Sequence, residues 1–183
     1  DDMGLGKTLQ TICFIADRLE TEPNRMALIV CPASLIYNWQ TEIEKFAPHL
    51  RSYVHHGTQR SLDTITADNI DVCITSYGTL RSDVDALSAI PFEVAVIDES
   101  HNIKSPTAQI TKAVNQLQPV CRIALSGTPV MNNTFDLYCQ LEFLLPGMFG
   151  SREFFKREYS DAIDKDHNEE KIWQLQKLTA PFI

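Results

Sequence analysis

Gly4, Gly6, Lys7 and Thr8 crowd into five positions, directly ahead of an apolar pattern at helical spacing: Leu9, Ile12, Ile15, Ala16 and Leu19. Glycines let a backbone turn tightly and aim its N–H groups at an anion. The start of a helix adds unsatisfied N–H groups and the positive end of its dipole. Lys7 would set a point charge on the β and γ phosphates of a nucleoside triphosphate, and the Thr8 hydroxyl would ligate Mg²⁺. Where the general phosphate-loop pattern opens with a glycine, this chain has Asp1. Taken alone, the stretch also fits a Gly-rich turn capping an ordinary helix.

A second group carries the complementary chemistry. Asp98-Glu99-Ser100-His101 follows the apolar run Val94–Ile97. An acid at a strand end can hold a metal through water, while an adjacent acid points elsewhere and can orient or deprotonate an attacking water. The plainer reading is two acids feeding a helix N-terminus. The phosphate loop upstream favours the catalytic one, provided that both groups reach the same edge of a sheet.

The elements that must position these residues can be read from pattern. A helix over about 8 to 20 stops at Thr21-Glu22-Pro23-Asn24. Met26–Cys31 is a continuous apolar run, as expected of a strand buried on both faces. Ser34 is expected to N-cap a helix bearing Leu35, Trp39, Ile43 and Phe46. Strands are predicted over 51–55, 71–75, 92–97 and 122–126. Helices are predicted over 58–69, from Leu80 to Ala89, and from Ser105 and Pro106 through Ile110, Val114 and Leu117. Alternation at this spacing means a doubly wound parallel sheet whose ligands gather beyond the carboxyl ends of the strands. Beyond Pro129 three helices are predicted, over 134–145, 152–160 and 168–179, with Asp161 to Glu170 a solvated linker.

The 183 residues are 44% hydrophobic, enough for one α/β domain with a sizeable core. No apolar run approaches the roughly 18 residues of a membrane span, so no membrane partner is expected. The five cysteines (Cys13, Cys31, Cys73, Cys121, Cys139) are scattered through apolar segments without a CxxC pair, and read as small core residues of a reducing compartment. The net charge of −8 means that any nucleic acid must be held by a local patch or by backbone amides. Trp39 falls on an apolar helix face and reads as packing rather than base stacking. His55 and His56 have no partner at metal-ligand spacing and read as strand-end residues.

Three stretches together resemble motifs I, II and III of the superfamily-two helicases: residues 1 to 8, Asp98 to His101, and Leu125-Ser126-Gly127-Thr128-Pro129-Val130-Met131-Asn132-Asn133. More narrowly the chain resembles the Swi/Snf-type DNA-translocating ATPases over nearly its whole length. Cys31-Pro32-Ala33-Ser34-Leu35 with Asn38, Trp39 and Glu42 resembles motif Ia, and Thr75 to Leu80 resembles motif Ib. The segments Phe143 to Phe155 and Ala180 to Ile183 resemble the part that closes the first lobe.

The resemblance implies a RecA-like doubly wound parallel sheet, a P-loop NTPase lobe over residues 1–133 with helices on both faces, and a C-terminal helical extension over 134–183. It implies ATP and Mg²⁺ as cofactors. Gly4, Leu5, Gly6, Lys7, Thr8 and Leu9 would bind the nucleotide, Thr8 and Asp98 the metal, and Glu99 would be the catalytic carboxylate beside Lys7 and Asp98. His101, Ser126, Gly127 and Thr128 would couple nucleotide state to DNA. Ser34, Ser76, Tyr77 and Gly78 would lie along a double-stranded DNA backbone, where backbone N–H groups can bind phosphate without many lysines.

In this family ATP binds between two RecA-like lobes, and the second supplies an arginine finger. A chain carrying only the first lobe is therefore expected to hydrolyse ATP barely, if at all. The strand that should lead into the phosphate loop lies before residue 1, so the chain reads as part of a longer protein. In the family's fold that strand is interior, and its absence should leave a groove in the sheet and weaken nucleotide binding. A strand-separating helicase or restriction-type motor shares the same core, and a non-catalytic docking module is the remaining alternative. The insert-poor layout points to a bacterial cytoplasm, at the nucleoid, rather than a nucleus, with protein cargo on DNA as a possible further partner.

Overall fold

The computed structural model describes residues 6–105, 107–127 and 134–182. Within them the chain runs α1 (Lys7–Thr21), β1 (Met26–Cys31), α2 (Ile36–Phe46), β2 (Ser52–His55), β3 (Val72–Ser76), α3 (Tyr77–Ser82), α4 (Val84–Ser88), β4 (Phe92–Ile97), α5 (Gln109–Gln116), β5 (Cys121–Ala124), α6 (Thr134–Leu144), α7 (Arg152–Phe155), α8 (Asp161–Asp164) and α9 (Glu169–Thr179). The five strands form one sheet in the order β2-β3-β1-β4-β5, every pair parallel. The continuous apolar runs lie where both faces of the sheet are covered, and every residue of β1 and β4 is buried.

Alternate residues of those strands feed two cores. Ala27, Ile29, Cys31, Val94 and Val96 pack against Ile12 and Ile15 of α1 and Ile36, Trp39 and Ile43 of α2. Leu28, Val30, Ala95 and Ile97 pack on the other face against Tyr77, Leu80, Leu87, Val114, Cys139 and Phe143, from α3 to α6. A third cluster of Tyr138, Leu141, Phe149, Phe155 and Leu175 ties the last helices together. The expected doubly wound α/β sheet is therefore present, with helices on both faces.

Several local expectations are corrected. Residues 58–69 form turns around a single 3₁₀ turn, Leu62–Thr64, because Arg51 spends its guanidinium on Asp71 and on the carbonyls of Ala67 and Asp68. The helix predicted near Leu80 to Ala89 divides at Asp83, whose carboxylate is held by Arg60 and His55. The 161–170 stretch is not an open linker. It contains α8, and Asp164 accepts from the Thr134 hydroxyl at 2.8 Å. Cys13 is exposed on the outer face of α1 rather than buried. The expected groove is absent among the described residues, because β4 pairs directly with β5 from Val94–Cys121 to Ile97–Ala124, which leaves β5 as an edge strand.

Candidate nucleotide and nucleic-acid site

All five strands end at one rim. Cys31 pairs with Ser76, Val30 with Ile97, and Ile97 with Ala124. The residues just past those ends are the candidate site. The Asp98 N–H donates to the Val30 carbonyl at 2.8 Å, Leu125 N–H to Ile97 at 2.8 Å, and Ser100 N–H to Leu125 at 2.7 Å. The acid segment and the Ser126 segment are thereby laced together.

The lysine arrives from α1. Gly6 stands before the first turn with φ 74° and ψ 31°, a left-handed conformation that a side chain would strain, and no side chain caps the helix start. Lys7 donates its ammonium to the Ser126 carbonyl at 2.7 Å. Its amine therefore sits at the same rim as Asp98, one strand away. Thr8 follows half-buried, and Leu9 remains 40% exposed, so it adds little to the core. Gly4, Leu5 and Thr128, also expected at the site, lie outside the described residues.

Asp98 is held on every side. Its Oδ2 accepts the Trp39 indole N–H at 2.9 Å, its Oδ1 accepts the Glu99 N–H at 2.8 Å, and its carbonyl accepts the Tyr77 hydroxyl at 2.6 Å. Burial, then the Asp98 charge, pushes the Tyr77 hydroxyl's pKa up, keeping it a donor. The same two causes push the Cys31 thiol up to about 12.

Glu99 has φ 50° and ψ 53°, left-handed for a residue with a side chain. Glu99 Oε2 stands 3.1 Å from His101 Nδ1, at ion-pair distance but out of hydrogen-bond alignment. The Ser100 hydroxyl donates to Gln140 on α6 at 3.0 Å, tying the acid loop to the helices beyond residue 134. Two adjacent acids thus have different surroundings, as a metal carboxylate and a water-activating carboxylate require.

At the neighbouring strand ends, Ser34 is exposed in a 3₁₀ turn, Ala33–Leu35, and does not cap α2 as expected, since Leu35 precedes the first turn there. Ser76 is buried. Its hydroxyl accepts the Thr79 N–H at 3.1 Å, capping α3, and donates to Thr79 Oγ1 at 3.0 Å. His56 Nδ1 lies 3.1 Å from Thr79 Oγ1. Tyr77 is turned inward, whereas Gly78 is exposed. The side chains of Ser76 and Tyr77 are occupied inside the protein, so only their backbone could meet a phosphate.

A family model described as the SNF2-related domain matches residues 1–183, the entire chain. The chain belongs to the SNF2-related family. Among curated relatives, a putative ATP-dependent helicase/translocase, YwqA of Bacillus subtilis, is 38% identical over 187 residues, covering all of this chain and 20% of the relative. The TATA-binding protein-associated factor mot1 of Schizosaccharomyces pombe is 40% identical over 173 residues, 87% of this chain and 9% of that protein. The Sulfolobus solfataricus SWI2/SNF2 ATPase core in complex with dsDNA superposes with a TM-score of 0.90 at 41% identity, covering all of this chain and 38% of that one. A second structure, the Sulfolobus solfataricus SWI2/SNF2 ATPase core domain, gives a TM-score of 0.87 at 39% identity, covering all of this chain and 37% of that one. The chain spans a fifth or less of the length of these two curated relatives.

In this SNF2-related chain, sequence reasoning missed two partners of Asp98. Trp39 reads as packing, and it is 1% exposed, but it also places an N–H on the carboxylate. The signal was available: a buried indole N–H needs an acceptor. Tyr77, expected along DNA, turns its side chain inward to donate to the Asp98 carbonyl, which leaves only its backbone for that role.

Proposed function

We propose that this chain is the first ATPase lobe of a motor that couples ATP hydrolysis to movement along double-stranded DNA. One observation carries the proposal: the Lys7 ammonium, the Asp98–Glu99 pair and the Ser126 carbonyl meet at one rim, laced by short hydrogen bonds. Residues 1–133 form the ATP-binding lobe and residues 134–183 its helical extension. The N-terminus of α1 and Lys7 bind and orient the triphosphate. Glu99 accepts a proton from the attacking water.

Thr8 and Asp98 would hold Mg²⁺. Their oxygens are hard donors suited to it, and each Asp98 oxygen accepts one described hydrogen bond and keeps a lone pair for a metal-bound water. The metal, when bound, neutralises charge on the phosphates. His101, with Ser126 to Thr128, relays occupancy toward the DNA face, where Ser34 and the backbone of Ser76 to Gly78 meet phosphates. A second lobe supplies the arginine finger, worth about 10³–10⁵ in rate, so this chain alone turns over ATP barely. Protein cargo on DNA and a site of action at a bacterial nucleoid belong to the same reading.

The test is ATP turnover by the two-lobed protein with and without double-stranded DNA. DNA is expected to stimulate turnover, and Lys7→Ala to abolish it. A rate indifferent to DNA, or one surviving Lys7→Ala, would overturn the reading. Steady hydrolysis by the 183 residues alone, lost in Lys7→Ala, would refute the need for a second lobe.

A further inference from the structure

The indole of Trp39 does more than fill space between α2 and the sheet. A phenylalanine would bury a similar apolar face, yet the indole N–H is aimed at Asp98 Oδ2 at 2.9 Å. Packing among Ile12, Ile36 and Ile43 fixes the ring. The Glu99 N–H takes the other oxygen, and the Tyr77 hydroxyl fixes the carbonyl of the same residue. The carboxylate therefore has one orientation, set by groups from α2, α3 and its own loop.

We propose that Trp39 is a positioning residue for the metal: its indole N–H locks the Asp98 carboxylate in the orientation that receives Mg²⁺ alongside the nucleotide. This rests on the reading of Asp98 as the metal carboxylate. Outer partners that orient a metal-binding carboxylate typically set about 10- to 100-fold of metal affinity. The lock also joins two regions, because α2 begins directly after the exposed turn bearing Ser34.

The chain has two tryptophans, and the second, Trp173 on α9, is 55% exposed and serves as an internal reference. In ¹⁵N-labelled protein the two indole signals are followed with ADP in EDTA, then with ADP and Mg²⁺. Mg²⁺ is expected to move the Trp39 signal and leave that of Trp173 in place. A Trp39 signal that stays fixed while Mg²⁺ strengthens ADP binding overturns the inference and spares the nucleotide site.

Calorimetry on Trp39→Phe gives the second arm. The Mg²⁺ dependence of ADP binding should weaken by about ten-fold, with ADP affinity in EDTA unchanged. Equal loss in both conditions would mean a packing role alone and would overturn it. If Trp39→Phe does not fold, the wild-type titration still decides. Wild-type ADP binding that ignores Mg²⁺ defeats both the inference and the metal assignment beneath it.

Discussion

The Asp98–Glu99 step shows how two identical functional groups are made different. Asp98 is pinned by three donors, while Glu99 sits on a left-handed backbone and stands beside His101. Such conformations cost of order 1–3 kcal/mol and persist where the surroundings hold them. Glu99→Gln keeps the shape and removes the proposed base. It should therefore retain Mg·ATP affinity while slowing DNA-stimulated hydrolysis in the two-lobed protein by about 10²–10⁴-fold, read by single-turnover kinetics. Equal losses in binding and rate would assign Glu99 to the ground state instead. The acids and the lysine could be singled out because the proposed chemistry demands those residue types. That the Trp39 indole needs an acceptor could be read, but the identity of that acceptor, and of Tyr77's, could not, since a hydrogen bond across 59 or 21 positions leaves no local pattern.

At the scale of elements, β1 and β4 could be read directly, because full burial leaves an unbroken apolar run. The helix breaks at Asp83 and the loss of regular structure over 58–69 could not, because distant partners cause both. Arg60 and His55 claim Asp83, and Arg51 claims carbonyls 16 and 17 residues away. The strand order, with β5 paired directly to β4, is likewise a long-range outcome. Helix α3 offers a clean test of the proposed DNA face. Gly78 is exposed, lies in a helix, and an added methyl would meet only Ser76 Oγ, at 3.9 Å. Gly78→Ala should therefore leave the fold unharmed or steadier by up to about 1 kcal/mol, while weakening DNA binding if a phosphate approaches that backbone. Unchanged DNA affinity in a titration would remove Gly78 from the interface.

Across the whole molecule, charge and burial set two broad behaviours. The Arg60 guanidinium, then the His55 contact, hold the Asp83 carboxyl below its ordinary value, and Arg51 does the same for Asp71. A depressed folded pKa stabilises the native state above the unfolded value, about 3.9. That contribution is lost as the pH falls below it, through the folded value. Urea midpoints should thus drop steeply below about pH 4, and Asp83→Asn should flatten that drop. Thiol chemistry follows burial. Cys31, Cys73 and Cys139 are buried, their thiols pushed up to about 12, whereas Cys13 is exposed. Alkylation of native protein at mild pH should mark Cys13 first, with those three reacting only on unfolding, as mass spectrometry can read. No helix among the described residues is long and apolar enough to cross a membrane.

The amine of Lys7 moors the stretch just beyond β5 through its bond to the Ser126 carbonyl. On the proposed reading, an incoming triphosphate would untie that mooring to claim the same ammonium. Ligand arrival would then be an exchange of partners, with one strand end slackened as the phosphates are grasped. Backbone hydrogen–deuterium exchange around residues 125–127 should quicken in the liganded protein while the first turn of α1 grows quieter.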